Sequence, residues 1–408
     1  MRWSRVLGVG GSVAAAVALA GCSDGSGPST NPIPTTVTPV GSGQTSMVGT
    51  AVPTAIGVTV KDQSGSPMSG VAVTFAVSAG GGFLNPATDT TDGQGRATTT
   101  WVLGNTVGSN NNGATATVSG YAGAPAAFTA SATPIVSAYN IDLRFLTPMS
   151  PTQTAAFTSA AARWSSIVVG DLPVDTVLAA PGDCGANSPA MNNEVIDDIV
   201  IFASIDSIDG PGNILGGASP CYIRNASKLT LVGEMTFDSA DVAVLEANNI
   251  LNAVILHEMG HVLGIGTLWT YVSPSLLTGG GTSDPYFTGP GGIFQFNRDG
   301  GATYVGNKVP VENTGGTGTA DGHWREAVMG RELMTGWISF VANPLSTISV
   351  ASLADLGYTV SYANADPYTV SPVNLRIGGA EEGLKLVELQ PKVTIKRVDA
   401  AGRILRGN

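Results

Sequence analysis

Little in this 408-residue sequence is charged or aromatic, and very little carries sulfur. Asp, Glu, Lys and Arg together make up 12% of it, aromatic residues 6%, and there are three Cys and three His. Positive charge is in deficit: 19 Lys and Arg stand against 30 Asp and Glu, a formal net charge of -11. Such a chain lacks the positive field that phosphate backbones need, which argues against a nucleic-acid partner. Past the N-terminus no apolar run reaches the roughly 18 residues expected of a spanning helix. Glycine is abundant, at 54 residues, and Ser, Thr, Asn and Ala fill much of the rest. That composition suits exported β-rich and mixed folds better than a helical cytosolic enzyme. The length is enough for two or three domains.

The N-terminus has the form of an address. Arg2 and Arg5 make a basic start, and Val6 to Ala18 is small and apolar, the length of a signal h-region. Leu19-Ala20-Gly21-Cys22 follows and resembles the bacterial lipobox, in which cleavage precedes an acylated Cys. Residues 1–21 are then a lipoprotein signal peptide and Cys22 the lipidation site. The chain would be exported and held at the cell envelope, at the outer membrane or cell surface, through an N-terminal lipid anchor. The alternative is an ordinary signal peptide cut near Ala20, with Cys22 an incidental thiol. Three Cys is an odd number for an exported protein. With Cys22 acylated, Cys184 and Cys221 remain to form a disulfide, closing a loop of about 38 residues worth roughly 3–4 kcal/mol. Two separate buried thiols are the other possibility.

Three further regions differ in texture. Residues 22–45 are rich in Ser, Pro, Gly and Thr and read as a flexible linker. From 46 to 133 short alternating runs such as Ala55 to Val60, Val71 to Val77, Ala97 to Val102 and Ala114 to Val118 are separated by turn clusters. This pattern predicts an all-β immunoglobulin-like sandwich. The order Val60-Lys61-Asp62, Pro67, Gly70 to Phe75 and Thr91 to Ala97 resembles the bacterial Ig-like domains of surface adhesins. With no catalytic cluster in it, this domain reads as a spacer. From 138 to 366 strands and helices mix, which predicts an α/β (α+β) domain. Strands are expected at Ile141 to Leu146, Ile199 to Ala203 and Leu229 to Phe237. Ser150-Pro151 can open a helix, and one long helix is expected from Asp238 or Ser239 to Leu263. Residues 367–408 read as a solvated tail or small β appendage, in which Leu384 to Leu389 and Val393 to Val398 could form a small hairpin.

The chemistry concentrates in His257-Glu258-Met259-Gly260-His261. On a helix, residues i and i+4 share a face, so both imidazoles can reach one zinc ion. Glu258 projects beside that face, where it can hold a water. Ile250, Leu251, Val254 and Ile255 give the helix an apolar face, and Gly264 suits a left-handed C-cap. Finding two of the three His at this spacing, with Glu beside the first, weighs against an ordinary core helix. A third ligand is not adjacent, because position 267 is Thr. The remaining His is His323, in Gly322-His323-Trp324-Arg325-Glu326, ahead of Glu332-Leu333-Met334-Thr335-Gly336.

In this order the motifs resemble the leishmanolysin family of metzincin endopeptidases, in which an insertion precedes the third His and a Met-turn follows it. Ile214 to Cys221 resembles a segment upstream of that family's zinc helix. The resemblance spans roughly 140 to 366. It implies a metzincin-type zinc protease domain with one catalytic Zn2+ held by His257, His261 and His323. Glu258 would be the catalytic base, taking the proton of a zinc-bound water that attacks the peptide carbonyl of protein or peptide substrates. Met334 would form an apolar floor beneath the metal, its alternative being a generic core Met. The strand Leu229 to Phe237 would be the edge to which an extended substrate adds. The chain has far fewer Cys than protozoan members and no evident pro-segment thiol. Two other readings remain: a surface adhesin or structural lipoprotein with an inactive protease-like module, and a non-proteolytic zinc hydrolase.

Overall fold

The computed structural model describes residues 31–303, 307–370, 383–386, 395–398 and 404–405. The expected signal peptide and Cys22 lie outside the described residues, as do parts of the linker and of the C-terminal region.

Nine strands build the first unit: β1 (Pro34–Val40), β2 (Gln44–Met47), β3 (Ile56–Asp62), β4 (Ala72–Ala79), β5 (Gly82–Asn85), β6 (Thr88–Thr90), β7 (Arg96–Leu103), β8 (Gly108–Val118) and β9 (Ala126–Thr133). They form two sheets, ordered β1-β3-β7-β5 and β2-β9-β8-β4-β6. Alternate residues such as Val58, Val73, Phe75, Trp101, Ala114 and Phe128 are buried in one core between them, the period-2 pattern of a sandwich. The sandwich begins earlier than the sequence suggested. Residues 34–47 form β1 and β2 where a tether to residue 45 was expected. Pro34 and Pro39 disguise β1, but it is an edge strand, where a missing N–H does little harm.

The second unit begins with β10 (Ile141–Phe145) and α1 (Pro151–Ile167). Ser150 caps α1 through a capping box with Gln153, and Pro151 stands at the first turn. The hairpin β11 (Asp175–Ala179) and β12 (Met191–Ile196) precedes β13 (Ile199–Asp206), β14 (Gly216–Arg224) and β15 (Thr230–Asp238). Next come α2 (Ser239–Ala247) and α3 (Leu251–Leu263). The single long helix expected over this stretch is two helices. Asn248 ends α2, and Asn249 takes a left-handed φ of 57° that no continuous helix accommodates.

After α3 the chain forms β16 (Leu277–Thr278), β17 (Tyr286–Phe287), α4 (Pro290–Arg298), β18 (Val309–Pro310), α5 (Glu326–Met329), β19 (Trp337–Ser339) and α6 (Thr347–Leu356). The described C-terminal pieces are β20 (Gly383–Lys385), β21 (Lys396–Val398) and β22 (Ile404–Leu405). Most of the expected hairpin of Leu384 to Leu389 and Val393 to Val398 lies outside the described residues; among those described, β20 pairs with β19, while β21 pairs with β14 and β22. These short runs are recruited by distant edges, a choice that local alternation does not encode.

The main sheet is ordered β10-β13-β15-β14-β21-β22. β15 is therefore interior, parallel to β13 and antiparallel to β14, and the expectation of an edge strand there is corrected. Its continuous burial from Thr230 to Gly233 is what an interior strand requires. α1 and α3 pack on one face, with Phe157, Trp164, Val254 and Val262 in the core. The opposite face carries a smaller core around Phe202, Leu231 and the disulfide Cys184–Cys221, whose Cα atoms are 5.5 Å apart. The two units touch. Ser361 Oγ donates to Val48 O and Tyr362 N to Gly49 O, and Phe83 packs against Phe294 and Tyr362. Among the described residues no helix is long and apolar enough to cross a membrane.

Candidate metal centre

α3 is buried on almost every side, with Leu251, Val254, Ile255 and Val262 among its packed residues. Such burial, and not intrinsic propensity, holds a thirteen-residue helix together. It also places His257, Glu258 and His261 at 0%, 1% and 2% exposure, so each imidazole needs a stated partner.

The C-cap orients His261. Gly264 takes φ 118°, where a side chain would be strained, and the chain turns back so that Ile265 N donates to Gly260 O. The same turn brings Ile265 O to 2.8 Å from His261 Nδ1. Thr267, where an adjacent third ligand would stand, instead donates its hydroxyl to His261 O.

His323 arrives from a separate loop. Its Nδ1 lies 2.8 Å from Thr319 O, and its carbonyl accepts from Glu312 N at 2.8 Å. Glu312 ties the loop from inside. Its carboxylate accepts from Asn313 N, Thr314 N, the Thr314 hydroxyl and Glu326 N. Burial raises this carboxyl, but those hydrogen bonds outweigh it and leave its pKa below the ordinary range.

The three imidazoles meet at their Nε2 atoms, separated by 3.1, 2.9 and 3.0 Å. His257 Nδ1 lies 2.6 Å from Leu333 O. Every Nδ1 thus faces a carbonyl, which can only accept, so each ring carries its proton there. In the neutral rings Nε2 then carries a lone pair. Three lone pairs converge at about 3 Å, a mutually repulsive set unless a cation lies among them. Atoms so spaced can all stand about 2.0–2.1 Å from one zinc ion, and the backbone carbonyls supply the outer bonds that fix ring orientation. The residues therefore fit a zinc ion, with Glu258 beside His257 on the same helix. Asp171, Asp197 and Asp198 also gather in a group that could hold a metal. There, however, both Asp198 oxygens accept backbone N–H groups, from Asn140 and Leu172, a structural use.

Met334 lies beneath α3, fully buried. A Cβ placed on Gly260 would stand 2.8 Å from Met334 Sδ, 2.9 Å from its Cε and 3.0 Å from Trp164 Cζ2. Gly260 is thus the gap in the helix that lets Met334 and Trp164 approach. Sequence reasoning left Gly260, Glu312 and Glu332 without roles. The glycine inside HExxH was a visible signal, since glycine within a helix costs about 1 kcal/mol relative to alanine unless a close approach requires it.

Residues 189–370 match the family model Peptidase_M8, Leishmanolysin. No curated protein matches the chain. Similar solved structures include the D00-D0 domain of Intimin, at 24% identity over 25% of this chain and 46% of that one, TM-score 0.19. Invasin, a bacterial integrin-binding protein, is 21% identical over 26% of this chain and 22% of its own, TM-score 0.19. Domains 4–9 of the surface layer protein SbsC are 18% identical over 46% of this chain and 25% of that one, TM-score 0.18. This chain spans less than half the length of each. Likenesses this slight carry no argument, and the Ig-like description of the first unit stands on its own two sheets. Over residues 189–370 the chain is leishmanolysin-like, and peptidases of that family are zinc-dependent.

Proposed function

We infer that this chain is a zinc-dependent endopeptidase. The observation that carries the reading is the convergence of the His257, His261 and His323 Nε2 atoms within 3.1 Å of one another, with all three Nδ1 atoms facing backbone carbonyls. When bound, a zinc ion held by three imidazoles supplies an open position at which a water is acidified and a carbonyl polarised. The remaining steps belong to the protein. Glu258 accepts the water's proton and returns a proton to the leaving amine. Its burial at 1% exposure strengthens the electrostatics of that transfer. Met334 and Trp164 support α3 from below and keep the imidazole pair in place. An extended peptide would add to β14, which pairs with β21 only at Tyr222 to Arg224 among the described residues, leaving Gly216 to Cys221 as the stretch to be matched.

The cellular setting is part of the proposal. Export and lipid anchoring rest on the Leu19 to Cys22 sequence, and the Cys184–Cys221 disulfide is compatible with an oxidising compartment. The test is to incubate the full chain with an unfolded protein, with and without 1,10-phenanthroline, and to map the cuts. Internal cleavage that the chelator stops and added zinc restores is expected. Cleavage indifferent to the chelator would rule out a metal mechanism. A folded, zinc-loaded chain that cuts nothing would favour the adhesin reading.

A further inference from the structure

Glu332 is fully buried, and its carboxylate collects four hydrogen bonds. Oε2 accepts from Met334 N at 2.6 Å. Oε1 accepts from Ser346 N at 3.1 Å and from the Ser346 and Ser349 hydroxyls at 2.7 and 2.6 Å. The direction of the hydroxyl bonds is fixed by their other contacts. Ser346 Oγ accepts from Ile348 N and Ser349 N as the N-cap of α6, and Ser349 Oγ accepts from Trp324 Nε1 at 2.8 Å. Both hydroxyl protons therefore point to Glu332, which acts as acceptor only.

The Leu333-Met334 segment that Glu332 holds faces one imidazole directly and bonds the backbone beside another. Leu333 O faces His257 Nδ1 at 2.6 Å, and Met334 O accepts from Trp324 N at 3.0 Å, the residue after His323. Trp324 is tied to the carboxylate again through Ser349. One buried carboxylate thus connects the first and third metal-binding positions, which lie 66 residues apart. A fold that needed only to fill this volume would do better with an apolar side chain, because burying a charge is costly unless it is fully hydrogen-bonded.

We propose that Glu332 is a positioning residue for the metal centre, setting the orientation of His257 and the placement of His323 through the Leu333-Met334 peptide. The proposal rests on the zinc reading above. Glu332→Gln keeps the volume but exchanges one acceptor oxygen for an amide NH2, which cannot accept from the donors around it. In the full chain, zinc affinity measured by competition with a chelator should fall about 10–100-fold. The visible absorption of the Co2+-loaded protein should change with it. The metal-free variant should keep the wild-type circular dichroism and unfold cooperatively, its melting midpoint lowered by the unpaired buried donor but by less than the loss of zinc affinity accounts for. Zinc affinity within about twofold of wild type overturns the proposal, as does a loss matched by an equal fall in metal-free stability. Should Glu332→Gln not fold, Ser349→Ala removes the link from Glu332 to Trp324. A several-fold loss of zinc affinity with an altered Co2+ spectrum is expected, and no change in either refutes the link. A wild-type chain that binds no zinc sinks both readings, whereas one that binds zinc but cuts nothing leaves the positioning role standing.

Discussion

Gly260→Ala adds one methyl group at a crowded point of the candidate centre. That methyl would stand 2.8 and 2.9 Å from the Met334 thioether and 3.0 Å from Trp164, against an attractive optimum of about 3.5–4.0 Å. Trp164 has nowhere to retreat: it is fully buried and its Nε1 donates to Leu256 O at 2.9 Å. Met334 must therefore yield. Overpacking of this kind costs about 1–3 kcal/mol, and the helix propensity gained by replacing glycine returns about 1 kcal/mol. A net loss of about 1 kcal/mol follows. In a Met334→Ala background the clash is mostly gone while the propensity gain remains, so Gly260→Ala should become stabilising. Urea unfolding of the four metal-free proteins measures the coupling, expected to be about 1–3 kcal/mol. Additivity within about 0.5 kcal/mol would show that the two residues do not share the space, and the packing argument would fail.

Three further outcomes follow from the geometry. His323→Ala removes a whole imidazole, so chelator competition should show a larger loss of zinc affinity than the roughly 10–100-fold typical of outer-sphere changes; unchanged affinity would mean that an Asp or Glu completes the site. Replacing Cys184 and Cys221 together by Ala should cost roughly 3–4 kcal/mol in denaturant unfolding, and a loss below about 1 kcal/mol would contradict the loop-closure account. Burial lifts Asp355 to about 6, only partly offset by the Gly292 and Gly291 N–H groups it accepts. Its folded pKa lies above its unfolded one, so its contribution to stability is present below about pH 4 and is lost as pH rises through 6; Asp355→Asn should flatten that slope in unfolding midpoints measured from pH 4 to 7, and an unaltered slope would exclude Asp355 as its source.

What the sequence revealed depended on the range of the interaction. The strands of the sandwich, the Ser150 cap and the left-handed Gly264 follow from local spacing and backbone preference, and each stands near its expected place. The His257–His261 pair was legible because the rise of a helix alone juxtaposes i and i+4. His323 could be nominated because no other His remained, yet nothing in its surroundings announced Glu312 or Glu332. Those carboxylates accept from backbone N–H groups, which all residues but proline carry, and from scattered Ser and Thr hydroxyls, so no side-chain pattern marks them. Sheet order was likewise hidden. An interior β15 and the separate destinations of β20 and β21 are choices among distant edges. The break at Asn248-Asn249 was visible as two turn-forming residues, but the apolar periodicity on either side outweighed it.

Glu258 is the residue at which zinc binding and catalysis should separate. It lies beside His257 on α3 without belonging to the converging imidazole set, so Glu258→Ala should leave zinc bound while removing the base. Zinc content and cleavage of an unfolded protein, measured side by side on wild type and variant, test this directly. Full zinc occupancy with turnover reduced at least about 10²–10⁴-fold is the predicted result. Equal cleavage by both proteins, or none by a zinc-loaded wild type, would contradict it.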